Sequence, residues 1–353
     1  MPLFSPFPLG SLTLSNRLVM APLTRRRAGP GKVPTDLVAL HYEQRAGAGL
    51  IISESTDVDP YSGADVPTRP GLFNDDQAAG WRKTVDRVHA AGGRIFVQLS
   101  HMGRASHPLL TADGRGPVGP SAIAAEGKAY TSRGLLPFPV PRALDAGEIA
   151  GLVDQFAYAA ALAKQAGFDG VEIQAANGYL IDSFLRDGSN KRTDAYGGTL
   201  EKRARLLLEV IEAVGRSWDA GRIGVHVSPF NSFNGMSDSD PVTHFSQLAK
   251  LLDSRGLAYL HVIESASTPQ VTPLIRQAFH GPLILASGYT RQLAEQAIAG
   301  GSGDLVAFGE AFIANPDLPH RFRIGAPLAA ANRATFYSGG AEGYTDYPAF
   351  EPA

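Results

Sequence analysis

The chain has 353 residues, 44% of them apolar, with 32 Lys and Arg against 34 Asp and Glu and no cysteine. That suffices for one large core or two modest ones, and the missing cysteine excludes a disulfide framework, a thiol nucleophile, an iron–sulfur cluster and cysteine-ligated zinc. A formal charge of −2 leaves no basic footprint for nucleic acid or an anionic lipid surface. No apolar run reaches the length of a membrane span, the first residues lack the pattern of a signal peptide, and a cytoplasmic location is expected.

Short β-branched or apolar runs alternate with longer stretches of helical spacing along the whole chain, the pattern of repeated βα units. In chain order the runs cover 17–24, 49–56, 94–101, 170–175, 223–229, 257–263, 283–288 and 305–309. Helical stretches between them include 75–91, 145–166, 201–218, 242–255 and 290–299. Asp145 with Glu148 three residues on, and Thr290 ahead of its run, are helix start signals. The repeat predicts an α/β fold, a single (β/α)8 TIM barrel over 1–353. A Gly-, Pro- and Ser-rich stretch at 102–142 follows strand three, where barrels carry ligand-covering loops, and predicts an inserted capping segment. The tail, 327–353, is expected to close over the barrel. A doubly wound sheet is the rival, disfavoured because no strand leads into a G-x-G-x-x-G or phosphate-loop motif.

In a barrel the C-terminal ends of the strands face the site. Those ends are Thr24, Ser55 with Thr56, Gln98 with Ser100 and His101, Gln174 with Asn177 and Tyr179, His226, Glu264, Ser287 with Gly288, and Gly309 with Glu310. The set is dominated by neutral hydrogen-bonding groups. No histidine pair has metal-ligand spacing, so no metal is expected. No G-x-S-x-G elbow or strand-end Schiff-base lysine is present. Tyr179 is the strand-end group best suited to donate a proton, and the small residues ending the last two strands stand where barrels commonly bind phosphate. Glu54 and Glu172 read as buried hydrogen-bonding groups, His101 and Arg104 as scaffolding, and the run Arg25, Arg26, Arg27 as a solvated loop face.

MAPLTR at 20–25, GLIISE at 49–54, GGRIFVQ at 92–98, ANGYLIDSFLR at 176–186, NKRTDAYGG at 190–198, ANPDL at 314–318 and GGAEGYTDYP at 339–348 resemble the old yellow enzyme family in order and spacing. The resemblance implies an FMN-containing barrel that takes hydride from NAD(P)H and passes it to an activated alkene. By it, Pro22, Leu23 and Thr24 contact the isoalloxazine, with the Thr24 hydroxyl on the flavin O4. Gln98 bonds the pyrimidine side, Ser55 belongs with the cofactor contacts, and Ser287, Gly288 and Gly309 form a backbone phosphate cradle. Asn177 matches one of the pair that grips the substrate carbonyl, Tyr179 the acid that protonates the alkene, and Tyr337 an aromatic that closes the pocket.

The departures from the family pattern cluster at this site. The carbonyl-clamp position usually held by His is Gln174, which keeps a donor and loses a titratable group. In the substrate pocket, Ser100 stands for a Trp and Val66 for a Tyr, both of which reshape the cavity. An Arg beside the flavin N1/O2 edge is replaced by His226, and an Arg that pairs with the phosphate by Glu310. A carboxylate in that place opposes the phosphate by up to about 4 kcal/mol at an effective dielectric near 20. Two function classes follow. One is an FMN-dependent ene-reductase acting on a small molecule with an activated carbonyl. The alternative is an FMN-free barrel that uses Gln174, Asn177 and Tyr179 for redox-neutral isomerisation or cyclisation; a noncatalytic binder is a weaker third.

Overall fold

A computed structural model describes residues 2–63 and 69–351. One closed parallel sheet contains β1 (Leu18–Met20), β2 (Leu50–Ile52), β3 (Ile95–Ser100), β4 (Gly170–Ala175), β5 (Ile223–Val227), β6 (Tyr259–Ile263), β7 (Leu283–Ala286) and β8 (Leu305–Phe308). Each strand pairs with the next, and β8 returns to β1 with Val306 opposite Leu18. A short strand, Thr56–Asp57, adds to β3. All the predicted runs become barrel strands, and closure of the sheet sets the doubly wound rival aside. The first run is shorter than its apolar stretch: β1 stops at Met20, ahead of Pro22, which has no N–H to offer a ladder.

Successive strand residues face opposite sides. Leu18, Ile51, Val97, Ile173, Val225, Val262 and Leu285 point outward into the apolar layer shared with the helices. Val19, Leu50, Ile52, Phe96, Tyr259, Ile284 and Leu305 point inward and form a second cluster. Phe7, Leu9 and Leu14 join that inner cluster from an N-terminal hairpin, Phe7–Leu9 with Leu12–Leu14, and plug the lower end of the barrel. Higher up, the inward positions of β3 to β6 turn polar: Gln98, Glu172, Gln174, His226 and His261, all buried.

Helix boundaries follow the start signals. Asp145 and Glu148 form a reciprocal capping box ahead of Ala146–Ala166, which ends at Gly167 with φ of +89°. Thr290 caps Arg291–Ala299 by accepting from the Leu293 N–H. The stretches at 75–91, 201–218 and 242–255 appear as Asp75–Ala90, Leu200–Val214 and Pro241–Asp253. The second is shorter than its pattern because Trp218 turns inward, donating its indole N–H to the Ala160 carbonyl at 2.9 Å. Helices Asp36–Glu43, Thr272–Ala278 and Leu318–Ile324 are too short for a recognisable amphipathic repeat, and periodicity does not reveal them.

The stretch 102–142 contains a hairpin, Lys128–Thr131 with Gly134–Pro137, while Val118–Gly119 pairs with Arg142–Ala143 near its end. The solvated reading of Arg25 and Arg27 is overturned: they are 1% and 5% exposed. Arg25 donates to the carbonyls of Phe336 and Gly343 at 3.1 and 2.7 Å, and Arg27 to those of Thr335 and Ser338 at 2.7 and 2.6 Å. Both guanidinium groups also lie against the Tyr344 ring. The tail is thereby fastened to the loop that follows β1. No helix among the described residues is long and apolar enough to cross a membrane.

Gly170 and Gly224 occupy inward positions where a Cβ would come within 2.3 Å of Phe96 and 2.2 Å of Tyr259, so the rings take the space. Gly224→Ala is expected to destabilise the protein by about 1–3 kcal/mol through overpacking. Urea unfolding measures this, and an unchanged midpoint would mean that the Tyr259 ring has room to move.

Candidate active site

The polar layer inside the barrel is organised around Glu172, which is fully buried. Gln98 Nε2 donates to Glu172 Oε1 at 2.7 Å, and His261 Nδ1 donates to Oε2 at 2.9 Å. Burial works to raise the Glu172 pKa, but the imidazoles of His261 and His226 and the hydrogen bonds from His261 and Gln98 outweigh it and hold the carboxyl below its ordinary range. Since a carboxylate only accepts, these contacts fix the Gln98 amide, and its Oε1 in turn accepts from Gln174 Nε2 at 3.1 Å. The same Gln98 Nε2 lies 3.0 Å from His226 Nδ1, which must therefore accept and leave the ring proton on Nε2.

His226 and His261 are neighbours in strand register and stack with ring centroids 4.1 Å apart. Burial, reinforced by His261 and opposed by Glu172, lowers the His226 pKa to about 3, so the ring is neutral. Glu172, His226 and His261 bring ligand atoms within 4.8 Å of one another. Both Nδ1 atoms and both carboxylate oxygens are already engaged with one another or with Gln98, so the trio reads as a hydrogen-bonded layer and not as a metal cage. The Nε2 atoms of both histidines are buried and have no hydrogen-bond partner in the protein. Such atoms call for a ligand or water.

Both rings line a cavity of about 410 Å3. Its walls include Pro22, Leu23, Asn177, Ser287, Gly288, Gly309 and Glu310, the ends of β1, β4, β7 and β8. Ser287 and Gly288 have φ of +86° and +78°, which folds the backbone back after β7. At Gly309 an added Cβ would meet Leu23 Cδ2 at 3.3 Å. A flat heteroaromatic group with an anionic tail, such as FMN, fits these walls: orphaned imidazole nitrogens at one end and a side-chain-poor rim at the other.

A second cavity, of about 830 Å3, meets the first at Asn177. Thr24, Tyr179 and Tyr337 line it, together with Lys128, Tyr130 and Phe138 from the stretch after β3. The Arg26 guanidinium lies over the rings of Tyr130 and Tyr337, 5.3 and 5.0 Å from their centroids, linking that stretch to the tail. Asn177 is the most constrained residue here. Its φ is +60°, its N–H donates to Ser228 Oγ at 2.8 Å, its carbonyl accepts from Asn234 Nδ2 at 3.0 Å, and its Oδ1 accepts from Asn231 Nδ2 at 2.6 Å. With Oδ1 engaged, the Nδ2 hydrogens are what Asn177 presents to a ligand.

The residues expected at the site thus divide. Pro22, Leu23, Asn177, His226, Ser287, Gly288, Gly309 and Glu310 surround the first cavity, and Thr24, Asn177, Tyr179 and Tyr337 the second. Gln98, expected on the pyrimidine side of the flavin, and Gln174, expected in the carbonyl clamp, line neither of these two cavities; Gln98 is bonded to Glu172, His226 and Gln174. One hydrogen of Gln174 Nε2 goes to Gln98 Oε1 at 3.1 Å, and the Gln174 Oε1 lies 3.4 Å from Ser55 Oγ, whose proton is donated to Ser100. Ser55 and Ser100 are buried beside it, 2.7 Å apart, with Arg69 Nη2 on both hydroxyls. Val66 lies outside the described residues. Glu264 turns away from the site to accept the N–H groups of Gln270, Val271 and Thr272. Composition and strand ends did not single out His261, Ser228, Asn231 or Asn234. The signal for His261 was available as a polar residue at an inward position of β6.

The depressed His226 pKa makes the fold acid-sensitive. An unfolded chain takes up that proton near pH 6.5 and the folded one only near 3. Stability is therefore lost as pH falls through that window, by up to about 1.4 kcal/mol per pH unit. His226→Gln should flatten the decline of the urea midpoint below pH 6.5 by close to one proton's worth; an unchanged slope would show that His226 is charged in the fold.

Residues 2–329 match the model of the NADH:flavin oxidoreductase / NADH oxidase family. The chain is 41% identical to 12-oxophytodienoate reductase 1 of Oryza sativa subsp. japonica over 99% of its own length and 93% of the relative's. It is also 41% identical to a probable flavin mononucleotide-dependent alkene reductase of Leishmania infantum, over 98% and 97% of the two chains. Among solved structures, morphinone reductase in complex with tetrahydroNAD superposes with a TM-score of 0.95 at 47% identity, covering 99% of this chain and 98% of that one. The old yellow enzyme homologue from Zymomonas mobilis gives 0.96 at 44% identity, covering 99% and 100%. A barrel with these walls and these relatives makes the chain a member of the NADH:flavin oxidoreductase / NADH oxidase family, the family of old yellow enzyme.

Proposed function

We propose that the chain is an FMN-dependent, NAD(P)H-consuming ene-reductase acting on α,β-unsaturated carbonyl compounds, with Tyr179 as the proton donor. One observation carries this reading: the cavity bearing the unpartnered histidine nitrogens and the cavity bearing Tyr179 share the wall residue Asn177. FMN held in the first cavity would supply the redox chemistry, hydride transfer from NAD(P)H to the alkene carbon β to the carbonyl. Pro22, Leu23 and Thr24 would flank the ring, the Nε2 atoms of His226 and His261 would meet its polar edge, and Ser287, Gly288 and Gly309 the phosphate.

Asn177 holds the substrate carbonyl through its Nδ2 hydrogens, the amide being locked in that sense by Asn231. Tyr179, two residues along the same loop, gives its phenolic proton to the carbon α to that carbonyl. A clamp and an acid on one loop keep donor and acceptor in register, which is where most of the advantage of an oriented reaction lies. Gln98, Gln174 and Ser55 act one layer down, holding the buried carboxylate and the histidine tautomers. The FMN-free alternative is disfavoured by the relatives, a probable flavin mononucleotide-dependent alkene reductase among them, and Gln174, on which it leans, lines neither cavity. A cytoplasmic location, with its supply of reduced nicotinamide, suits this activity.

The purified protein should carry a flavin absorption spectrum that NAD(P)H bleaches. Tyr179→Phe is expected to slow reoxidation by an enone about 10²- to 10⁴-fold while leaving bleaching by NAD(P)H nearly unchanged. Stopped-flow absorbance separates the two half-reactions, and an equal loss in both would assign Tyr179 a structural role.

A further inference from the structure

Among the described residues lining the first cavity, Glu310 is the only one with a formal charge at neutral pH, the two histidines aside. A phosphate held at the side-chain-poor rim would meet an anion and no cation from the cavity wall itself. A cation is brought to that anion from elsewhere in the chain: Arg333 Nη2 lies 2.8 Å from Glu310 Oε2. Both side chains remain open to ligand and solvent, 77% and 53% exposed.

We propose that Arg333 is the phosphate-binding cation of the cofactor site and that Glu310 is its positioning residue. The inference rests on the FMN reading above and adds to it a residue from outside the barrel strands. Three observations support it. First, the pair turns the sole fixed charge of the cavity from a net anion into a neutral dipole, with the guanidinium available to an incoming anion. Second, a guanidinium has five N–H donors in a planar fork, so one Nη engaged by Glu310 leaves the others for phosphate oxygens. Third, the segment carrying Arg333 is fastened on both sides. The Asn332 N–H donates to the Tyr347 hydroxyl at 2.9 Å, and the Thr335 and Phe336 carbonyls accept from Arg27 at 2.7 and 2.9 Å. The cation is thus presented from an anchored backbone, with its side chain held against Glu310, a residue of the cavity wall.

Two opposite readings of Glu310 give opposite signs. If Glu310 only repels the phosphate, removing it tightens FMN binding. If it tethers Arg333, removing it loosens FMN binding. The test titrates the full chain, freed of flavin by dialysis, with FMN and separately with riboflavin, which lacks the phosphate, following quenching of flavin fluorescence. Arg333→Ala should raise the Kd for FMN about tenfold and leave that for riboflavin within about twofold. Arg333→Lys should recover part of the loss, and Glu310→Ala should weaken FMN severalfold. Thermal unfolding of the flavin-free variants should match the wild type, because so exposed a pair adds little to stability. Tighter FMN binding by Glu310→Ala, unchanged FMN binding by Arg333→Ala, or equal loss of both flavins in that variant would each overturn the assignment and leave the FMN reading standing. A wild-type chain that quenched neither flavin would overturn both.

Discussion

An ionised carboxylate with no solvent access constrains everything placed near it, and Glu172 stands in that position at the centre of this barrel. Stripped of water, it is tolerated only because Gln98 and His261 direct N–H groups at its two oxygens. That demand propagates. It sets the orientation of the Gln98 amide, which sets the tautomer of His226 and engages the amide of Gln174. The two imidazoles consequently turn their remaining nitrogens toward the cofactor cavity. A hydrogen-bond chain that begins as a solution to a burial problem ends by defining what one wall of the active site offers.

The family-pattern departures make sense in the same terms. With Ser at 100 in place of a large indole, the hydroxyl bonds Ser55 and takes a contact from Arg69, so a polar network fills the volume. His226 brings a neutral donor where a fixed cation is usual, and it lies against a second imidazole it can stack upon. Gln174 joins the same buried network through Gln98. These residues are joined by continuous hydrogen bonding inside the barrel, with a neutral imidazole where the family pattern has a fixed cation.

Much of the architecture was legible in the sequence because it is local. Apolar runs separated by helical spacing fix eight strands, and Asp145 and Thr290 announce their helices by caps that need no distant partner. Placement at a cavity was legible where strand ends and family motifs coincide, as at Asn177 and Tyr179. It was not legible where a role depends on register or on remote chain. Arg25 looks like a solvated cation until a carbonyl 311 residues further along accepts its Nε–H. Asn231 gives no local sign that it will lock the Asn177 amide. Gln174 occupies the expected position, but whether an amide faces a cavity or a neighbour is decided by the adjacent strand.

The N-terminal hairpin that seals the lower end with Phe7, Leu9 and Leu14 also decides which end of the barrel is open to traffic. With that end stoppered, exchange between solvent and the polar layer inside the barrel is left to the opposite end, where β1, β4, β7 and β8 finish around the cavity lined by His226 and His261.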